Sequence, residues 1–363
     1  MSPPTSPTRS VPMRARMAAY VASLQDSIVN ALESLDPNAP KFKRDEWERP
    51  EGGYGISCAF SVPPAPEHFA SSEAGPSATP NTVLEKAGVN ISVIHGKLPP
   101  AAVKQMRAEH SSLPVSDEPL PFYAAGISLI VHPRNPHAPT VHANFRYFEV
   151  NPPSTALEDS PEVLAWWFGG GSDLTPNYLY EEDAIHFHKT IKDACAAHGT
   201  ALYPALKKWC DEYFYLSHRS EARGVGGFFY DDFCSDSHKR IIATEGDTAA
   251  RPWTQEAIFT FVRGVGDAFI PGYLPILKRR LGTPYTPEQR RWQLVRRGRY
   301  VEFNLVHDRG TKFGLMTPGA RIESILISLP ETVRWEYMTD MGTDPASEEA
   351  KLVAVLKTPR EWV

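Results

Sequence analysis

Hydrophobic residues follow two kinds of pattern along the chain. Stretches in which they alternate with polar residues, or run together between turn residues, predict β-strands at 53–62, 89–95, 126–132, 141–150, 300–307 and 322–329. Stretches in which they recur every three or four positions predict α-helices at 13–35, 181–197, 203–218, 255–281 and 348–357. Pro271 and Pro275 should divide the fourth helix, because proline lacks the N–H that a helix needs. The strands form two blocks with most helices between them, which predicts an α+β fold with a largely antiparallel sheet.

Composition and charge exclude several classes of protein. The chain has 363 residues and a net charge of -5, without the basic excess of a nucleic-acid binder. Its four cysteines include no C-x-x-C pair, so neither a disulfide scaffold nor a zinc ribbon is expected. The longest apolar run, 124–131, is too short to form a transmembrane segment. We expect residues 1–12 to be disordered and 62–83, a low-complexity stretch rich in Pro, Ser and Ala, to form a solvated insertion loop.

One face of the strand at 141–150 carries candidate chemistry. Because side chains alternate along a strand, His142, Asn144 and Arg146 share a face. On the strand at 126–132, Ser128 and His132 share a face in the same way. Phe148 and Val150 continue the first face as apolar residues, which favours the floor of a cleft over a face that is simply wet.

A glycine-rich segment lies at 169–171 and is followed closely by Asp173. We interpret it as a turn where a ligand can approach the backbone, with a large flat ligand beside the preceding aromatic residues. The alternative is a tight turn in which Asp173 is only a cap. A phosphate-binding loop is not supported, because no Lys-Ser/Thr follows the glycines.

Arginines cluster next to glycines in the second half of the chain. Planar guanidinium groups pair with carboxylates through two hydrogen bonds, so the set fits a small polycarboxylate ligand. Taken one at a time, most of these arginines are better explained by surface salt bridges. The set comprises Arg219, Arg223, Arg296, Arg297, Arg299 and Arg321.

Histidine spacing gives only a weak signal for a metal site. His186 and His188 point to different sides of the predicted helix, and the chain has no H-E-x-x-H motif. A site built from His132, His142, His188 and His218 would require four distant segments to converge.

Five long segments resemble oxygen-dependent coproporphyrinogen III oxidases, and the resemblance covers the chain from about residue 13 to residue 363. It implies one catalytic domain, built as a large flat antiparallel sheet covered by helices on both faces. The segments are 47–57 (WERPEGGYGIS), 131–150 (VHPRNPHAPTVHANFRYFEV), 166–176 (WWFGGGSDLTP), 207–229 (KKWCDEYFYLSHRSEARGVGGFF) and 296–337 (RRGRYVEFNLVHDRGTKFGLMTPGARIESILISLPETVRWEY).

The resemblance also implies a reaction in haem biosynthesis. The propionates on rings A and B of coproporphyrinogen III would be oxidatively decarboxylated to vinyl groups, giving protoporphyrinogen IX, carbon dioxide and hydrogen peroxide. Molecular oxygen would be the oxidant, and no organic cofactor is expected. Positioning, desolvation and electrostatics would then carry catalysis.

Site residues can be carried over from the family position by position. The proposed proton donor matches His142. An ionised Asp173 is expected to accept pyrrole N–H bonds, and Arg223 matches a further residue of the cleft. Substrate contacts match Ser128, Asn144, Phe145, Arg146, Gly319, Ala320 and Arg321.

The family suggests three further features. Bacterial members are described as binding a divalent metal through histidines that match His132, His142, His188 and His218, whereas the eukaryotic branch is treated as metal-free. The segment through which family members form a homodimer corresponds to residues 300–337. The start of the chain favours a cytoplasmic location, with a mitochondrial one as the alternative because arginines precede the first acidic residue. A tetrapyrrole carrier without activity and a histidine–metal decarboxylase remain as competing functions.

Overall fold

A seven-stranded antiparallel sheet forms the centre of the computed structural model, which describes residues 11–62, 82–108, 110, 112–153, 162–316 and 320–363. The order across the sheet is β1-β2-β3-β4-β5-β6-β9. These strands are β1 (Lys43–Glu48), β2 (Gly53–Ser61), β3 (Leu84–Leu98), β4 (Leu120–Pro133), β5 (Thr140–Val150), β6 (Ala165–Thr175) and β9 (Gly227–Phe233). Two short strands, β7 (Tyr215–Leu216) and β8 (Glu221–Ala222), pair separately.

Helices cover both faces of the sheet, which confirms the predicted α+β architecture. One face packs on a core with α1 (Met13–Glu33), α3 (Glu181–Ala196), α4 (Leu202–Tyr213), α5 (Gln255–Asp267) and α6 (Phe269–Arg280). The remaining helices are α2 (Pro100–Met106), α7 (Pro287–Glu302), α8 (Arg309–Met316), α9 (Ile322–Leu326) and α10 (Glu348–Lys357), with a π-helical turn at Phe303–His307. No helix in the described ranges is both long and apolar enough to cross a bilayer.

The core face and the opposite face differ in side-chain chemistry, as the alternation along β5 predicts. Ala143, Phe145 and Tyr147 are fully buried against the helices of the core face. His142 and Arg146 point to the opposite face, which we call the site face, and both are partly exposed. The burial of large apolar groups on one side only fixes the register of β5, because a shift by one residue would exchange the two faces.

The predicted strands at 300–307 and 322–329 are wrong, because both segments are helical. A capping box at Thr286 and Gln289, with Pro287 at the first helical position, starts α7, which continues to residue 302. In α9, Ile322, Ile325 and Leu326 have helical i, i+3, i+4 spacing. Both segments mix isolated β-branched residues with other apolar and polar residues, a pattern that fits a short strand as well as a helix.

The predicted glycine turn at 169–171 is also wrong, since these residues lie within β6. Glycine is needed there because a Cβ at Gly171 would lie 2.5 Å from the Phe228 carbonyl oxygen. The prediction also missed β1 and β9. The fourth predicted helix divides at Ala268, ahead of Pro271, rather than at the prolines themselves. Residues 1–10 and 63–81, which hold most of the predicted disordered start and insertion loop, lie outside the described residues.

Candidate active site

A chain of three side chains connects His142 on the site face to the interior. The Nδ1 of His142 lies 2.8 Å from Oδ1 of Asp173, its directly paired neighbour on β6. The Nη2 of Arg223 donates to both oxygens of Asp173, at 2.9 and 2.7 Å. The order of contacts is therefore His142–Asp173–Arg223, with the carboxylate in the middle.

Aromatic rings enclose the inner end of this chain. The Arg223 guanidinium lies 4.1 Å from the ring centroid of Phe214, 4.6 Å from Tyr300 and 4.7 Å from Phe303. Its Nη1 also donates to Oδ1 of Asn304, at 3.0 Å. Stacking on the rings compensates part of the lost hydration of this cation.

Burial alone would raise the pKa of Asp173, but the nearby Arg223 charge and the His142 hydrogen bond lower it below its ordinary value. Asp173 is therefore ionised at neutral pH and accepts hydrogen bonds. It fixes the neutral imidazole of His142 as the Nδ1–H tautomer, which leaves Nε2 as the other functional nitrogen. The His142 side chain is 18% exposed, whereas Asp173 and Arg223 are 2% exposed.

Arg146 lies two positions along β5 from Asn144 and four from His142, on the same face. Its Nη1 donates to Oδ1 of Asn144 at 2.7 Å, and its Nη2 lies 2.9 Å from Oδ1 of Asp231. A Cβ at Gly169 would lie 2.7 Å from Arg146 Cζ, so glycine in β6 provides the space for this ion pair. The Arg146 side chain is 39% exposed and can exchange its protein partners for a ligand carboxylate.

Short side chains form the site face between these groups and the far edge of the sheet. Strand pairing places small or polar residues in rows across the sheet. Ser128 is exposed within the middle row. On β2 and β3 the face is covered by α9, because Ser324 contacts Ser57 and its carbonyl accepts a bond from Asn90, each at 3.0 Å. A flat ligand can therefore approach the sheet at β4 and β5, around Ser128. The middle row is Asp45, Ser57, Asn90, Ser128, Asn144 and Gly171, and its neighbour is Trp47, Gly55, Ser92, Gly126, Arg146 and Gly169.

A family model described as coproporphyrinogen III oxidase matches residues 16–362. The chain belongs to the coproporphyrinogen III oxidase family.

Three curated relatives illustrate the similarity. The chain is 49% identical over 351 residues to the oxygen-dependent coproporphyrinogen-III oxidase of Drosophila melanogaster, covering 97% of this chain and 78% of that protein. It is 47% identical to the Homo sapiens protein of the same name, called mitochondrial, over 97% of this chain and 67% of that protein. Coproporphyrinogen-III oxidase 1, chloroplastic, of Arabidopsis thaliana is 43% identical over 361 residues, 99% of this chain and 81% of that protein.

The structure separates Ala320 and Arg321, two of the substrate contacts that the coproporphyrinogen III oxidase family suggests, from the His142 cluster. Arg321 pairs with Asp45 of β1, the edge strand of the sheet. Four strand spacings separate β1 from β5, about 19 Å. Ala320 precedes Arg321 at this end and is partly buried, while Gly319 lies outside the described residues. Arg321 therefore lies at the opposite side of the sheet from the His142 cluster.

Phe145 is placed differently from the other substrate contacts that the family suggests. Its side chain is fully buried on the core face and packs 6.4 Å from Phe228, centroid to centroid. The sheet therefore separates its ring from Asn144 and Arg146. The structural contribution of Phe145 is to anchor β5 between those two residues.

The four histidines matched to the bacterial metal ligands occupy separate hydrogen-bond networks. Each nitrogen of His132 and His188 has a protein partner: Thr140 and the Ser328 carbonyl for His132, and Tyr203 and the Val225 carbonyl for His188. His218 contacts His307 and Glu302. Burial lowers the pKa of His132 to about 3 and that of His188 to about 4.

These contacts do not fit a metal ion shared by the four histidines within one chain. Across the described ranges, no three histidine, cysteine, aspartate or glutamate side chains are grouped as a metal site. We therefore derive no chemical step through a metal.

Sequence reasoning missed several polar residues that contact the site residues or their aromatic neighbours. Asp231 holds Arg146, and Asp308 accepts a hydrogen bond from the Tyr213 hydroxyl at 3.0 Å. Asn304 holds Arg223 from the π-helical turn that follows α7. Asn304 lies within 300–307, which the sequence predicts as a strand although it is helical, and Asp308 directly follows that segment. Asp231 belongs to β9, a strand that the pattern did not reveal.

Proposed function

We propose that the chain is an oxygen-dependent coproporphyrinogen III oxidase that converts the ring A and ring B propionates of coproporphyrinogen III to vinyl groups. The products are protoporphyrinogen IX, carbon dioxide and hydrogen peroxide. Identity of 43–49% to relatives with this activity in their names supports the assignment. The observation that carries it is the ordered His142–Asp173–Arg223 chain, whose His142 end is partly exposed on the polar site face.

The proton balance of the reaction gives His142 a defined task. Each propionate loses its carboxylate as carbon dioxide and a hydride equivalent from the β-carbon, and dioxygen takes up the two electrons. Starting from the ionised propionate, formation of hydrogen peroxide consumes one proton per vinyl group. The Nε2 of a protonated His142 can donate that proton, and Asp173 stabilises the positive charge of the ring before transfer.

Asp173 is proposed to act through His142 instead of binding the pyrrole N–H groups directly. Both of its oxygens are occupied by protein donors, and the side chain is 2% exposed. Arg146 is proposed to hold a propionate, because its guanidinium is exposed and lies on the same strand as His142. Ser128 and Asn144 then contact the macrocycle from the row between them.

The test mixes the protein with coproporphyrinogen III under anaerobic conditions with a metal chelator present, admits air, and measures the products. We expect the unmodified protein to form divinyl product and peroxide, and His142→Ala to turn over about 10²- to 10⁴-fold more slowly. His186→Ala is the matched control, because this histidine is on the exposed side of α3 and should leave turnover unchanged. Binding of substrate without product by the unmodified protein would instead identify a tetrapyrrole carrier. Normal turnover of the His142→Ala variant would exclude His142 as the proton donor.

We also propose a homodimer through the segment 300–337. The support is a set of large apolar side chains that this segment and the adjacent Met338 expose to solvent. A surface of this kind is typical of a protein–protein contact. The most exposed are Val306 (51%), Met316 (85%), Trp335 (54%), Tyr337 (98%) and Met338 (83%).

For location, we favour the mitochondrial alternative over the cytoplasmic prediction. The name of the human relative places that protein in mitochondria, and nothing in the described residues supports the cytoplasm in particular.

A further inference from the structure

The segment after α10 returns to the turn that carries Arg223. The indole N–H of Trp362 donates to the carbonyl oxygen of Val225, at 3.1 Å. The Arg360 guanidinium lies over the Trp362 ring, 4.3 Å from its centroid, and pairs with Glu181 of α3 at 2.5 Å. Trp362 is partly buried against the main core. The ring is therefore held in place on both sides of its hydrogen bond.

The carbonyl group that Trp362 contacts belongs to the backbone next to the site. The same Val225 oxygen accepts a bond from His188 Nε2 at 3.0 Å, and the Val225 N–H donates to the Leu174 carbonyl at 2.9 Å. Leu174 directly follows Asp173 in β6, and its own N–H donates to the Gly226 carbonyl at 3.0 Å. The turn is thus fastened to the strand end that presents the carboxylate.

A buried ion pair fixes the other side of the turn. Lys207 is 3% exposed, and its Nζ lies 2.7 Å from Asp211, 3.1 Å from Glu361 and 2.8 Å from the carbonyl of Arg360. Gly226 has a positive φ of 86°, and a Cβ there would lie 2.6 Å from Oδ1 of Asp211. The turn therefore has little freedom to move toward α4.

We propose that Trp362 is a positioning residue for the His142–Asp173–Arg223 chain. It acts through Val225, two residues from Arg223, by holding the turn at a fixed distance from the end of β6. Loss of its N–H donor leaves the carbonyl with one partner and lets the turn shift. Because the Nη2 of Arg223 must reach both oxygens of Asp173, a small shift disturbs the carboxylate that orients His142. The inference rests on the proposed oxidase function.

The test compares two tryptophan variants of the full chain. Trp362→Phe removes the N–H donor and retains an aromatic ring over the same site. Trp253→Phe is the matched control, because its indole N–H also donates to a backbone carbonyl, that of Asp247, at 3.0 Å and on the exposed surface. For both variants we would measure kcat and KM with coproporphyrinogen III, the melting temperature, and hydrogen exchange at the Val225 amide.

We expect Trp362→Phe to lower kcat roughly three- to tenfold while KM stays within about twofold, and to speed exchange at Val225. Trp253→Phe should leave kcat, KM and Val225 exchange unchanged, whatever it does to the melting temperature. If the unmodified protein is active and Trp362→Phe has the kcat of the control, the positioning role is refuted and the oxidase assignment stands. A higher KM and a lower melting temperature with an unchanged kcat would also refute the positioning role. An inactive unmodified protein would overturn the oxidase function itself.

Discussion

Replacing Asp173 with asparagine is the most informative single change at this site. The substitution keeps the shape of the side chain and removes its charge. Arg223, which is 2% exposed, would then keep its positive charge without its ion-pair partner, with Asn304 and three aromatic rings in contact with it. Removing one partner of a buried ion pair costs about 3–5 kcal/mol, so we expect the free energy of unfolding to fall by about that amount.

The pH dependence of this loss has a definite sign. The pKa of Asp173 is lower in the folded protein than in the unfolded chain, so its ionised form stabilises the fold. This contribution is complete well above the unfolded pKa of about 3.9 and disappears as the pH falls through the lower folded pKa. The difference in free energy of unfolding between the unmodified protein and Asp173→Asn should therefore narrow on acidification below about pH 4.

Urea unfolding followed by circular dichroism measures this difference, with Asp26→Asn as the matched control. Asp26 also pairs with one arginine, Arg44, but both side chains are about half exposed, so we expect a loss of under about 1 kcal/mol. In the product assay, Asp173→Asn should lower kcat about 10²- to 10⁴-fold, because the single amide oxygen is drawn to Arg223 and the amide N–H₂ cannot accept a hydrogen bond from His142. If Asp173→Asn loses no more stability than the control, or turns over like the unmodified protein, the buried His142–Asp173–Arg223 chain is refuted.

Two further changes test the site face and the proposed dimer. Gly169→Ala places a methyl group 2.7 Å from Arg146 Cζ and should raise KM at least several-fold, whereas Gly282→Ala, with open space around its Cβ, should leave kinetics unchanged. Equal KM values for the two variants would show that the space above Gly169 is not needed. Tyr337→Ser should shift the protein toward the monomer in light scattering, and Ile242→Ser, an equally exposed site outside the 300–337 segment, should not. A monomeric unmodified protein would refute the dimer.

The sequence predicts those parts of the fold in which local pattern and tertiary environment agree. Strands β4 and β5 separate an apolar core face from a polar face, so alternation alone reveals both their type and the grouping of His142 with Asn144 and Arg146. The glycines of β6 give no such signal, because the residues that need their space, Arg146 and Phe228, come from neighbouring strands. Non-local packing of this kind is absent from any short window of sequence.

The electrostatic roles within the site also depend on non-local contacts. The spacing of arginines and glycines indicates an acidic ligand, but it does not show that Arg223 faces inward to Asp173 while Arg146 faces the cleft. That difference arises because the aromatic side chains of Phe214, Tyr300 and Phe303 enclose Arg223, and these residues come from two separate regions of the chain.

The fixed register of β5 has a consequence for how this protein can fail. His142 and Asn144 alternate with the fully buried Ala143 and Phe145, so any slip of the strand would carry the reactive imidazole into the apolar interior and push a phenyl ring outward. Partial displacement is therefore not an accessible state. Substitutions that loosen the packing of Ala143 or Phe145 should therefore reduce activity in proportion to the fraction of unfolded protein, and few molecules should be folded but inactive.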